Sequence, residues 1–206
     1  MKKNSMKPAV LPLVLAAAFF VFTAPLCAAA ENGAGKTLIL YYSLTGNTRA
    51  GCEALQKALQ ADIIEIRDRT NRSGRWGFVR SAFGSLLGLH TAIEPEHPDM
   101  TAYGTIILGS PVWTGKLSMA VRTLIDKNSF DGKRVIVYTT TNAYEQEKHK
   151  EKSRNLVRKK GGTVAGYYQV LAREEKNGEK VARSREQIVA DTLEMVPEIR
   201  TLLSAE

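Results

Sequence analysis

Short unbroken apolar runs alternate along this chain with segments in which apolar side chains recur at helical spacing. Leu38–Tyr42 is apolar on both faces, the pattern of a strand buried within a parallel sheet. From Asn47 to Gln60, Cys52, Leu55 and Leu59 share one helical face, with Ala58 beside them. Ile63, Ile64 and Ile66 mark a second strand and Tyr103–Leu108 a third. Between these two, Asp68–Asp99 is a longer excursion in which Trp76, Val79, Phe83 and Leu86 again recur at helical spacing. Met119–Asp126 reads as a helix through Val121, Leu124 and Ile125, and Val135–Tyr138 as a fourth strand within Arg134–Thr140. Glu145–Lys160 is a charged, weakly periodic helix closed by Gly161-Gly162, and Thr163–Leu171 is a fifth strand. A hairpin or polar loop follows around Asn177-Gly178. Ser184–Leu203 completes the chain as a helix with Ile188, Thr192, Val196, Ile199 and Leu203 on one face and Pro197 as a candidate kink. Such alternation, joined by right-handed crossovers, predicts a doubly wound α/β domain with a parallel sheet and helices on both faces. Ligands on such sheets bind beyond the carboxyl ends of the strands, at the point where the strand order reverses.

Three strand ends can meet there. The first strand stops abruptly in Ser43-Leu44-Thr45-Gly46-Asn47-Thr48 and a helix begins at once. A helix start offers free backbone N–H groups and a positive dipole end; hydroxyls and a close-approaching glycine complete a pocket for a phosphate. The same residues would also serve as an ordinary helix cap. The segment lacks the lysine of a P-loop and the three glycines of a dinucleotide fingerprint, and Arg49 beside it reads as a solvated charge. The second strand end is Gly109-Ser110-Pro111-Val112-Trp113-Thr114-Gly115. Trp113, flanked by Pro111 and Gly115, suits either a core position under a turn or stacking on a planar heterocycle. The third is Thr139-Thr140-Thr141-Asn142-Ala143.

YYSLTGNT and GSPVWTG together resemble the flavodoxin family, and the likeness runs from about Lys36 to Leu171. The resemblance implies a flavodoxin-like, five-stranded parallel sheet of order 2-1-3-4-5 and a noncovalent FMN cofactor. It assigns Ser43, Leu44, Thr45, Gly46, Asn47 and Thr48 to the FMN phosphate. Ser110, Pro111, Val112, Trp113, Thr114 and Gly115 would flank the isoalloxazine, with Trp113 stacked on it. Thr140, Thr141 and Asn142 would meet its far edge, although this loop lacks the glycines that relatives often carry there. No catalytic residue is expected, because the cofactor carries the chemistry.

Composition adds an address and a charge. Lys2, Lys3 and Lys7 precede an apolar stretch from Pro8 to Leu26, which Pro25 breaks before Ala28-Ala29-Ala30. This is the pattern of a secretory signal peptide over residues 1–30, cleaved after Ala30, with a retained membrane anchor as the alternative. A flavodoxin-like domain over residues 31–206 and an extracytoplasmic, periplasmic location follow as expectations. Cleavage removes three lysines and no acidic residue, so the formal charge falls from +8 to +5, with 26 basic against 21 acidic residues. The surplus fits an acidic or membrane-bound redox partner protein or a quinone, and equally a basic surface without such a partner. No nucleic-acid role is expected, since neither a zinc pattern nor a helix-turn-helix is present. Cys52 is the only cysteine after residue 30, so no intramolecular disulfide can form in the mature chain. It reads as a small buried apolar group; Ala58, six residues on, rules out a phosphatase-type nucleophile. His90, His97 and His149 show no metal-ligand spacing.

The leading expectation is an exported FMN electron carrier. The alternatives are an NAD(P)H-dependent quinone or small-molecule reductase, in which Trp76 and Phe78 wall a second site, and a cofactor-free binding module on the same scaffold. A basic domain repels a fully reduced, anionic flavin less than an acidic one does. The second reduction step is therefore expected at a less negative potential than in acidic relatives, and potentiometry giving an equally low value would overturn this.

Overall fold

The structure, a computed structural model, describes residues 35–69 and 90–204. The signal-peptide reading of residues 1–30, and the helical reading of Trp76, Val79, Phe83 and Leu86, lie outside the described residues.

The sheet is built from β1 (Thr37–Tyr41), β2 (Asp62–Glu65), β5 (Thr105–Trp113), β7 (Arg134–Thr141) and β8 (Thr163–Leu171), in the order β2-β1-β5-β7-β8. All four pairings are parallel. This is the expected 2-1-3-4-5 order, with one addition: β6 (Lys116–Leu117) folds back antiparallel on the end of β5. Two short ribbons stand apart from the sheet, β3 (Arg67–Asp68) with β4 (Ile93–Glu94), and β9 (Arg173–Lys176) with β10 (Glu179–Ala182).

Strand alternation divides the core into two layers. Leu38, Leu40 and Tyr42 face one side and pack with Val121 and Leu124 of α2 (Met119–Lys127) and Val157 of α3 (Glu147–Arg158). Ile39 and Tyr41 face the other side. There they pack with Cys52 and Leu55 of α1 (Asn47–Leu59), Ile188 of α4 (Arg185–Glu194) and Ile199 of α5 (Val196–Ser204). Both faces are thus covered, which is why β1 is buried at every position. Cys52 is fully buried, and desolvation pushes its thiol pKa up, which leaves it inert.

Several sequence-based boundaries change. The second strand end is itself strand: β5 continues through Gly109-Ser110-Pro111 to Trp113, because Pro111 needs no N–H where β6 pairs only beyond it. β7 likewise absorbs Thr139–Thr141. The last helix is two, since Met195 caps α4 and Pro197 falls in the first turn of α5, where its missing N–H costs nothing. Asn177 and Gly178, both at positive φ, form the turn of the β9–β10 hairpin. No helix among the described residues is long and apolar enough to cross a membrane.

Gly109 sets the distance between α1 and the sheet. A Cβ there would stand 2.4 Å from Cys52 Sγ and 2.7 Å from Tyr41 Cβ. Gly109→Ala is therefore expected to destabilise the fold by about 1–3 kcal/mol through overpacking, read as a lower denaturation midpoint with an unchanged slope.

Candidate functional site

β1 ends at Tyr41 and α1 starts at Asn47, so the chain turns through five residues at the carboxyl edge of the sheet. Gly46 makes the turn possible: it is the N-cap at φ 93°, a left-handed conformation that a side chain resists. Its N–H donates to Ser43 Oγ at 3.1 Å. The Ala50 N–H donates to the Gly46 carbonyl and begins the helical ladder. The N–H groups of Asn47, Thr48 and Arg49 have no acceptor among the described residues, as the first turn of a helix dictates. They are the anion-directed feature of this loop.

β5 is the next strand across, with Tyr41 opposite Gly109. Its end brings Pro111, Val112 and Trp113 over the same edge, and β7, with Thr140 opposite Pro111, adds Thr140 to Asn142. The result is a cleft in two connected halves. The inner half, about 360 Å³, is lined by Leu44, Thr45 and Asn47, by Pro111 to Trp113, by Thr140 to Asn142, and by Arg173 and Arg183. The outer half, about 440 Å³, lies between Val112–Gly115 and the segment Thr141–Gln146, with His149 at its margin. Val112, Trp113, Thr141 and Asn142 border both. Each half is within the range of small-molecule sites.

Four sequence-predicted residues do not line this cleft, and each supports it. Ser43 holds the Gly46 turn. Thr48 is buried, with its hydroxyl 2.7 Å from Thr140 Oγ1, which ties α1 to β7. Gly46 contributes backbone. Ser110 is fully buried; its hydroxyl donates at the β5–β6 corner and accepts the Ser118 N–H at 3.0 Å. The other eleven border one half or both. Arg49 turns away to pair with Glu65.

Other residues enter the site beyond those assigned to the cofactor. Tyr42 is buried and meets Trp113 edge-on, with ring centroids 6.2 Å apart, so it sets the indole's orientation. The His149 ring lies directly against Gly115, where a Cβ would come within 2.3 Å of Nδ1. Glu145, buried at the head of α3, accepts at Oε1 from the Tyr167 hydroxyl and the Gln169 amide, both at 2.8 Å. Burial and the Glu145 charge push the Tyr167 pKa up. Glu145 Oε2 is buried with no hydrogen-bond partner among the described residues. Among those residues no group of His, Cys, Asp and Glu could hold a metal ion.

A family model for flavodoxin matches residues 36–166, well over half of the chain, and the chain belongs to the flavodoxin family. Solved structures agree in fold. A flavoprotein in complex with FMN from Lactobacillus acidophilus NCFM is 22% identical with a TM-score of 0.57, over 66% of this chain and 93% of its own. The apo form of the L. acidophilus flavoprotein is 24% identical with a TM-score of 0.53, over 65% and 91%. A candidate flavoprotein from Bacteroides uniformis ATCC 8492 is 21% identical with a TM-score of 0.61, over 76% and 96%. No curated protein matches the chain.

Removing the Glu145 carboxylate would strand two donors in the wall of the cleft. Glu145→Ala is expected to cost about 2–3 kcal/mol in denaturant unfolding, and an unchanged midpoint would show that Glu145 does not organise this wall.

Proposed function

We propose that this protein binds FMN in the cleft and transfers electrons through it, as an exported flavodoxin-like carrier. The observation that supports this most directly is the juxtaposition of unpaired α1 N–H groups with Trp113 across one continuous cleft. A phosphate fits the first and a flat ring the second. The residues present suit the cofactor on that ground. The 43–48 turn would hold the phosphate through the backbone N–H groups of Asn47, Thr48 and Arg49 and the Thr45 hydroxyl. In the Thr48–Thr140 pair, one hydroxyl donates to the other, and the acceptor keeps a proton to give to a ligand.

Bound flavin supplies one- and two-electron chemistry. The chain supplies position and surroundings. Tyr42 holds Trp113 upright, and Trp113 would cover one side of the ring. The Thr141 hydroxyl donates to the Ala143 carbonyl at 2.7 Å and so stiffens the turn that would meet the ring's edge. No residue need exchange a proton with a substrate for this role. Export is supported by the basic, apolar and alanine-ending sequence of residues 1–30. The basic balance of the remaining chain suits an acidic or membrane-bound redox partner.

A second reading, an NAD(P)H-dependent reductase of a quinone or another small molecule, is favoured by the size of the outer half of the cleft. Steady NADH oxidation with a quinone would select it; flavin reduction only by a partner protein would select the carrier.

The visible spectrum of the purified protein tests the main claim. Flavin bands near about 375 and 450 nm are expected, and a colourless protein that takes up no added FMN would overturn it. Trp113→Ala is expected to weaken FMN binding by about tenfold and to change the bound spectrum.

A further inference from the structure

The hairpin and helix that follow β8 lie beyond the family match, which ends at residue 166. They nevertheless reach the cleft. The Ala172 N–H donates to the Thr141 carbonyl at 2.7 Å, and the Arg183 N–H to the Ala172 carbonyl at 3.0 Å, so the β9–β10 hairpin is anchored on the end of β7. Arg173 and Arg183 then line the inner half. Next in the chain, α4 begins with a capping box between Ser184 and Gln187, and its first residue is Arg185. The Arg185 guanidinium lies against Gly46: a Cβ on that glycine would stand 2.8 Å from Nη2.

This placement is electrostatically unfavourable as it stands. Arg185 sits at the positive end of its own helix and against the positive end of α1, beside N–H groups that have no acceptor. Arg183 adds charge to the same rim, although it is held by Asp191, with Nη2 at 2.9 Å from Oδ1, and lies 3.8 Å from Glu174. Arg173 and Arg185 form no ion pair among the described residues; the pKa of Glu186, next in sequence, is lowered chiefly by hydrogen bonds from its own backbone and from Ser184, with the Arg185 charge a smaller contribution. An anion held at the Ser43–Thr48 turn within reach of the Arg185 guanidinium removes the conflict, and a doubly charged one removes it best.

We infer that Arg185, supported by Arg173, closes over the Ser43–Thr48 turn as a cationic clasp for a phosphate monoester. The clasp takes that phosphate on the side that the α1 N–H groups leave open. It rests on the FMN reading for the identity of the ligand, but not for the anion chemistry. It also accounts for a cation placed where neither helix favours one, at the one turn of the cleft that has free N–H donors.

Flavin-free protein is titrated with FMN and with riboflavin, which lacks the phosphate, by quenching of flavin fluorescence. Arg185→Ala is expected to weaken FMN by about tenfold, the scale of one charge-assisted contact, and to leave riboflavin within about twofold. Arg185→Lys should retain most of the difference. Equal effects on the two flavins, or none on FMN, would overturn the clasp while leaving the FMN reading intact. If wild-type protein binds neither flavin, the FMN reading falls and inorganic phosphate decides. Phosphate-dependent stabilisation in low-salt thermal unfolding that Arg185→Ala abolishes upholds the clasp; stabilisation that survives, or is absent from wild type, overturns it. Arg185 is exposed and bonds no described residue, so the variant is expected to unfold, without anion, no earlier than wild type.

Discussion

Parallel pairing of β1 with β5 is the constraint on which the site depends. It puts Tyr41 opposite Gly109, so both strands leave the sheet at one edge and their continuations face each other across a gap. Because β2 lies on the other side of β1, the crossovers from β1 and into β5 diverge, and the gap stays open. Gly109 makes the arrangement tight. With no side chain, it lets Tyr41 and Cys52 approach from two directions and brings the α1 N-terminus down to the strand ends. The Thr48–Thr140 hydroxyl pair then ties that N-terminus to β7. The donors of the first turn are thereby aimed and held before any ligand arrives.

The cleft is electrically uneven. Its inner half joins the start of α1 with Arg173 and Arg183, and Arg185 stands behind the same turn, whereas its outer half carries Glu145, His149 and the Trp113 indole. An elongated ligand with an anionic end and an uncharged planar end matches that gradient and has one favoured orientation. Glu145 shows how the outer wall is kept: one oxygen gathers Tyr167 and Gln169 from β8, which fixes the turn after β7 relative to the next strand.

Much of the fold is legible along the chain, for identifiable reasons. β1 announces itself because a strand covered on both faces must be apolar throughout. α1 does so through Cys52, Leu55 and Leu59, whose face is set by one neighbouring sheet. Pro197 marked a discontinuity, but a proline fits the first turn of a new helix as readily as a kink, and local sequence does not separate the two. The GSPVWTG segment resembles a loop because of Gly109 and Pro111; it is strand because β7 pairs alongside it as far as Pro111 and β6 folds back beyond. The turn residues of the cleft could be found because each sits where an apolar run stops. His149 and Arg185 could not, since they carry no local mark.

By itself, the sequence determined the alternation of strand and helix, the position of the hydroxyl-rich turn at the first strand end, and the presence of an indole at another. Those are local properties, fixed by apolar period, by glycine and by helix capping. Only the tertiary structure decided which groups share the cleft: that Arg49 is spent on Glu65, and that the cation beside the phosphate-type turn comes from Arg185, far along the chain. It also decided that Tyr42 sets the Trp113 ring and that His149 closes on Gly115. Long-range electrostatics and side-chain packing depend on which elements the sheet brings side by side, and no window of sequence contains that information.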